Sequence, residues 1–245
     1  MSISILAVET STNACSASVL IYDQSTQNFN YFSRFEVAPQ QHTELLLPMI
    51  DEVLTESDRL ISQVDVLAFG QGPGSFTGVR IAASVIKAIA YAHDLPVVAV
   101  SSLESMAVAA YEEKSAEKII VMVDARMKEV YLSNCHIKIG DNNLMQINSE
   151  EQLLAPDTAY NNVSQQKNFI ATGNAWNIYK DKFNALLDDE KQSLLSIEYP
   201  NAKQIAYLGL LKFMSGEVQD AISALPIYLR NNVATPKKIT KRKFL

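Results

Sequence analysis

Two cysteines and three histidines in 245 residues leave little material for a covalent or metal-held scaffold. Cys15 and Cys135 are too few for a disulfide framework and lack the clustering of a zinc site, so both read as small buried hydrophobes. None of His42, His93 and His136 has a second histidine at ligand spacing. His42 opens HTELLLP, where the i+4 position is Leu46, so no metal site is expected. G-x-S-x-G is missing, and Ser75 in GPGSF has no histidine or acid close by along the chain, which disfavours a peptidase unless the partner groups come from distant segments. No apolar stretch approaches the ~20 residues that cross a bilayer. The start, MSISILAVETST, has no basic region and reaches Glu9 early, so a cytoplasmic protein without membrane contact is expected. Apolar content, in contrast, is plentiful: 48% of residues suffices for the core of one large domain or two small ones.

Charge is unevenly placed. TPKKITKRKFL, the C-terminus, carries Lys237, Lys238, Lys241, Arg242 and Lys243 and no acid, and the remaining sixteen cations against all twenty-seven acids leave the rest of the chain at −11. An acidic body does not grip nucleic acid across a broad face by itself, and a basic run at a terminus is ordinarily solvated.

ISILAVE (Ile3 to Glu9) has the continuous apolar character of a buried strand ending in an acid, and after a polar turn CSASVLIY returns as a second strand. KIIVMVD (Lys118 to Asp124), the turn Ala125 to Lys128 and EVYLSNCHIKI repeat that unit. This suggests two α/β halves on one plan. In between, NFNYFSRF predicts a strand, Thr43 to Leu60 a helix with Pro48 inside it, DVLAF a short buried strand, Gly78 to His93 a helix capped by Thr77, and LPVVAVSS a strand paired parallel to DVLAF. FIATGNAW, helices over Trp176 to Leu187 and Ala202 to Met214, and a Pro-bounded extended segment LPIYLRNNVATP complete the chain. The halves are expected to divide near Val100 to Glu104.

GQGPGSFTGVR (Gly70 to Arg80) gathers four of the eight glycines. A helix start after glycines can cradle a phosphate with backbone N–H groups. However, Gly78 is followed by Val79 and Arg80 rather than the P-loop lysine and hydroxyl, and Ser75 stands where G-x-G-x-x-G requires its third glycine. The alternative is a tight corner that lets strand and helix pack closely. In the helix that follows, Arg80, Ser84, Lys87 and Tyr91 form one narrow polar stripe. Together with the wide apolar side of Thr43 to Leu60, this fits either burial in one domain or helical packing with a partner chain. Glu9 and Asp124 read as acids capping turns rather than cation ligands.

ILAVETSTNACSASVL, HTELLLPMI, GPGSFTGVRIAASVIKAIA, VDARMKEVY and PIYLRNNVA, in that order across nearly the whole chain, resemble the bacterial TsaB (YeaZ) family. The resemblance implies an α/β ASKHA fold of the actin, sugar kinase and Hsp70 kind: two related halves with mixed sheets flanked by helices. The N-terminal half would be 1–102, joined by 203–235, the second half 103–202, and 236–245 a basic tail. It implies a role in making threonylcarbamoyladenosine (t6A) in tRNA, as a degenerate sister of the transferase TsaD. TsaD carries H-x-x-x-H where this chain retains only His42, and ATP-using superfamily members have a glycine-rich second turn where this chain has Ala125 to Lys128, whose side chains would fill the nucleotide's space. The implied protein has no catalytic residue and no cofactor of its own, with ATP or ADP left to the complex. It supports TsaD together with the ATPase TsaE, meets tRNA through that complex and forms homodimers when alone. The implied contact residues are Leu46, Met49, Ile50, Val53, Ser84, Lys87 and Tyr91, and Glu9, Thr10, Ser11, Gly72, Gly74 and Asp124 are the candidates for a residual nucleotide contact. An active ATPase or kinase using Glu9, Asp124 and the glycine loop is the alternative.

Overall fold

A computed structural model describes residues 2–187 and 192–230. The chain runs through β1 (Ser2–Glu9), β2 (Ala14–Asp23), β3 (Asn28–Val37), α1 (His42–Glu56), β4 (Val66–Gly72), α2 (Phe76–His93), β5 (Val97–Ser101) and α3 (Ser102–Lys114). It continues through β6 (Lys118–Asp124), β7 (Val130–Ile139), β8 (Met145–Leu154), α4 (Pro156–Val163), β9 (Ile170–Thr172), α5 (Ala175–Ile178), α6 (Lys180–Phe183), β10 (Ser193–Leu194) and α7 (Ala202–Met214).

The ten strands of the described residues form two sheets of one design. In the order β3-β2-β1-β4-β5, β2 is antiparallel to both neighbours while β1, β4 and β5 run parallel. In the order β8-β7-β6-β9-β10 the same directions recur. The repeated hairpin legible in the sequence is thus the visible part of a repeat that extends over whole sheets, a mixed α/β architecture of the ASKHA kind.

The molecule is layered. Leu6, Val8, Cys15, Ala17 and Val19 on one face of the first sheet pack with Leu46, Met49, Ile50 and Val53 of α1 and with Ala82, Ala83 and Ile86 of α2. The other face shares a single cluster with α3, α7 and the second sheet, in which Ile5, Val66 and Val100 join Leu103, Ala107, Ile205 and Leu208 and then Val121 and Tyr131. The far side of the second sheet is closed by α4 to α6, around Trp176, Phe169 and Phe183.

Several boundaries differ from expectation. Ser75, not Thr77, is the N-cap of α2, its hydroxyl accepting from the Gly78 N–H at 3.4 Å. The helix expected to reach Leu60 stops at Glu56, and a 3-10 turn follows at Ile61–Gln63. Trp176 to Leu187 breaks into α5, α6 and a 3-10 turn. Residues 225–230 belong to no helix or strand, and the rest of the expected segment, like the basic tail, lies outside the described residues.

The elements not foreseen include α3, β8, α4 and the two-residue β10. In α3, SLESMAVAAYEEK, small residues and serines are buried on nearly every side because the helix lies between two sheets, which removes the polar stripe that marks a surface helix. β8, MQINSEEQLL, is an edge strand whose acids and amides suit that exposed position. Among the described residues, no helix is long and apolar enough to cross a membrane.

Candidate functional site

Each sheet ends one central strand in an acid followed by a tight turn. At the first, Glu9 is wholly buried. Its carboxylate accepts from the Ser102 hydroxyl at 2.7 Å and from the Ser11 N–H. Burial pushes its pKa up, and the Ser102 and Ser11 hydrogen bonds oppose that rise only in part. The carboxylate lies against Gly70, where an added Cβ would come within 1.8 Å of Oε2. Glu9 is therefore not a cap on a solvent-facing turn: the start of α3 and strand β4 enclose it.

The glycine loop closes on the same turn. The Thr10 hydroxyl donates to the Gly78 carbonyl at 2.7 Å, and the Ser75 N–H donates to the Ser11 carbonyl at 2.6 Å. A Cβ on Gly78 would meet the Thr10 carbonyl oxygen at 2.0 Å, and one on Gly74 the Ser11 carbonyl oxygen at 2.4 Å. Gly72 has φ +99 and precedes a cis bond to Pro73. The close approach that glycine permits is used here by the chain's own backbone. His42 joins from the far side: its Nε2 lies 2.9 Å from the Thr12 carbonyl, so it is the protonated ring nitrogen and the ring is committed to the turn.

The second turn is built differently. Asp124 is half-buried, its N–H donates to the Asn174 side-chain oxygen at 2.8 Å, and its carboxylate accepts from the Tyr179 hydroxyl at 3.0 Å. Arg126, Met127 and Lys128 then follow with φ of 60, 52 and 61, three consecutive left-handed residues none of which is glycine. Such backbone costs about 1–2 kcal/mol per residue. Their side chains are exposed, Met127 at 71%. The group that lies on the turn is Arg230, donating to the Ala125 carbonyl at 3.0 Å and paired with the Glu129 carboxylate. Arg230 lies in a strap, residues 225–230, whose Ile227 N–H donates to the Gln71 carbonyl at 2.9 Å, so one short segment touches both the glycine loop and the second turn. Nothing in the local sequence pattern announces this contact, which spans about a hundred residues of chain.

The expected contact residues separate into two groups. Leu46, Met49, Ile50 and Val53 are buried in the chain's own core, which corrects their assignment to a partner surface: the first sheet covers the apolar side of α1. Ser84 and Tyr91 of α2 are exposed, Tyr91 at 82%, and Lys87 is half-buried with its ammonium donating to the Ile222 carbonyl at 2.9 Å. Leu47, on the outward side of α1, is 57% exposed.

One acidic pair lies at the seam between the sheets. Glu151 of β8 accepts from the hydroxyl of Ser101, which also caps α3, and Glu104 of α3 accepts from the Ser149 hydroxyl at 2.6 Å. Burial and the nearby Glu104 carboxylate raise the pKa of Glu151 to about 7, while the Ser101 hydrogen bond and the Lys212 ammonium pull it down. Cys15 and Cys135, both buried, are pushed up to about 11 and about 12, which leaves them inert thiols.

The family model described as TsaD, tRNA N6-adenosine threonylcarbamoyltransferase, matches residues 35–238. The chain is 37% identical to the tRNA threonylcarbamoyladenosine biosynthesis protein TsaB of Haemophilus influenzae, with 98% of each chain covered. It is 33% identical to TsaB of Escherichia coli, over 95% of this chain and 97% of that protein. The solved structure of YeaZ from Pseudomonas aeruginosa superposes with a TM-score of 0.75 at 33% identity, over 93% of this chain and all of that one.

Proposed function

The chain belongs to the TsaB (YeaZ) family, and from that premise we propose that it serves tRNA threonylcarbamoyladenosine biosynthesis in the cytoplasm as a non-catalytic subunit docked on the transferase TsaD and acting with TsaE. The observation that carries this reading is the 37% identity sustained over 98% of both chains. Loss of catalysis is supported by the site. Glu9 is enclosed and hydrogen-bonded to its own chain, His42 is committed to Thr12, and the second turn has side chains where close approach to a phosphate calls for glycine. The subunit needs no cofactor of its own, and ATP or ADP enters only through the complex.

Docking uses the part of the outer stripe of α2 that holds Ser84 and Tyr91, with Leu47 of α1. The same stripe mediates self-association when TsaD is missing. An 82% exposed tyrosine on α2 and a 57% exposed leucine on α1 suit an interface whose centre is aromatic and aliphatic.

Reconstitution tests this directly: the chain, TsaD, TsaE, a threonylcarbamoyl-AMP-forming enzyme, ATP and unmodified tRNA, with each protein omitted in turn. Omitting the chain should bring t6A formation to background, and full-rate formation without it sinks the proposal. Leu47→Asp and Tyr91→Asp should abolish co-elution with TsaD without lowering the melting temperature, because neither side chain belongs to the core. Retained co-elution would move the interface elsewhere.

A further inference from the structure

The start of α2, the strap and the second turn bring together features that stand apart from the rest of this acidic chain. The Arg80 guanidinium lies 3.3 Å above the centroid of the Phe76 ring and 5.3 Å from that of Tyr228. Phe76 and Tyr228 are themselves packed with centroids 5.9 Å apart, yet remain 53% and 45% exposed. Two residues beyond Tyr228, Arg230 neutralises Glu129 and braces the second turn, which holds Arg126 and Lys128 out in solvent. None of Arg80, Arg126 and Lys128 forms an ion pair among the described residues.

The left-handed turn is an independent sign. Three non-glycine residues are held at positive φ, and none of the three side chains is buried in return. Backbone strain kept in place by a dedicated arginine, while its side chains face outward, marks a surface shaped for something outside the chain.

We propose that this surface, from the Phe76–Arg80–Tyr228 stack to the Arg126–Lys128 tip, is a direct contact for unpaired RNA, the stack taking a base and the tip taking phosphates. Exposed rings stacked with a planar guanidinium offer a face to a base of any sequence, and unpaired cations at the flank match the adjoining backbone. Because a net charge of −6 opposes RNA elsewhere, the contact is narrow and weak alone. That the RNA is a tRNA rests on the function proposed above; the stack and the tip do not.

The test is fluorescence anisotropy of a labelled tRNA transcript titrated with the full chain over a series of salt concentrations. Wild type should bind with an affinity that falls as salt rises. Arg126→Ala with Lys128→Ala should reduce affinity about tenfold and lower the slope of log affinity against log salt by about 1.4, the value for two single-strand phosphates. Tyr228→Ala should lose about tenfold with the slope unchanged, as removal of a stacking partner does. Ultraviolet cross-linking of the unaltered chain should mark Phe76 or Tyr228, a readout that needs no variant to fold. Absence of salt-dependent binding, variants that bind like wild type, or cross-links confined to other segments would each overturn the proposal. So would variants that keep RNA affinity and lose co-elution with TsaD, since the face would then belong to a protein. If RNA binding fails while omission of the chain still abolishes t6A formation, the scaffold function stands and only this inference falls.

Discussion

The two acid-bearing turns start from one plan and end in opposite conditions. Glu9 and the turn after it are sealed by the glycine loop, by the Ser102 hydroxyl and by His42, with backbone oxygens so close that glycine alone fits. After Asp124 the turn has no glycine, holds three residues in left-handed backbone and shows their side chains to solvent. In the first turn shape complementarity is internal and the site is closed. In the second an internal group, Arg230, braces a conformation whose product faces outward. One repeated architecture can therefore carry a closed turn in one half and an outward-facing turn in the other.

The largest expected break in this contrast is Gly78→Ala. The new methyl would stand 2.0 Å from the Thr10 carbonyl oxygen, which is backbone and cannot step aside, so the destabilisation should be on the order of 3 kcal/mol or more, read from denaturant unfolding. A loss below about 1 kcal/mol would mean that the first turn is looser than described.

An intermediate effect should appear at the seam, where Ser101 at the threshold of the first turn's helix meets Glu151 of the second sheet. Because folding raises this carboxyl from 4.5 to about 7, its contribution is fully present below pH 4.5 and is lost as pH rises through about 7. The melting temperature should fall across that window by an amount corresponding to about 2 kcal/mol, once residual solvent access is allowed for. Glu151→Gln should flatten that part of the profile, and an unchanged profile in the variant would remove Glu151 as its source.

The smallest effect sharpens the contrast by its sign. Arg126→Gly relieves one left-handed residue and should leave stability unchanged or raise it by up to about 1 kcal/mol, the reverse of adding a methyl group at Gly78. A clear loss would mean that the Arg126 side chain holds the turn.

Much of this contrast was legible in the residues, for identifiable reasons. Strands β1 and β6 carry continuous apolar runs ending in acids, each returning through a polar turn as β2 and β7, and GPGSFTG reads as a tight corner because the phosphate fingerprints fail at Ser75 and Val79. The apolar side of α1 was equally clear, but hydrophobic periodicity states that a face is covered and not by what, so Leu46 and Met49 were expected against a partner when the first sheet covers them. α3 escaped because burial on all sides erases periodicity, and β8 because an edge strand tolerates the charges that usually mark a loop. Arg230 and Ser102 act on turns far away in sequence, and no local signal could have joined them.

The cluster shared by α3, α7 and both sheets also fixes the mechanics of the molecule. β5 ends at Ser101 and α3 begins at Ser102, so no slack residues separate the sheets at that crossing. A clam-like opening would have to drive water between Leu103, Ala107, Ile205 and Leu208 and the strands on both sides. Each such side chain withdrawn from water contributes about 1–3 kcal/mol, so the closed form outweighs an opened one by orders of magnitude in population. The described residues of the two halves should therefore move as one body, with α3 and α7 as the shared filling between the sheets.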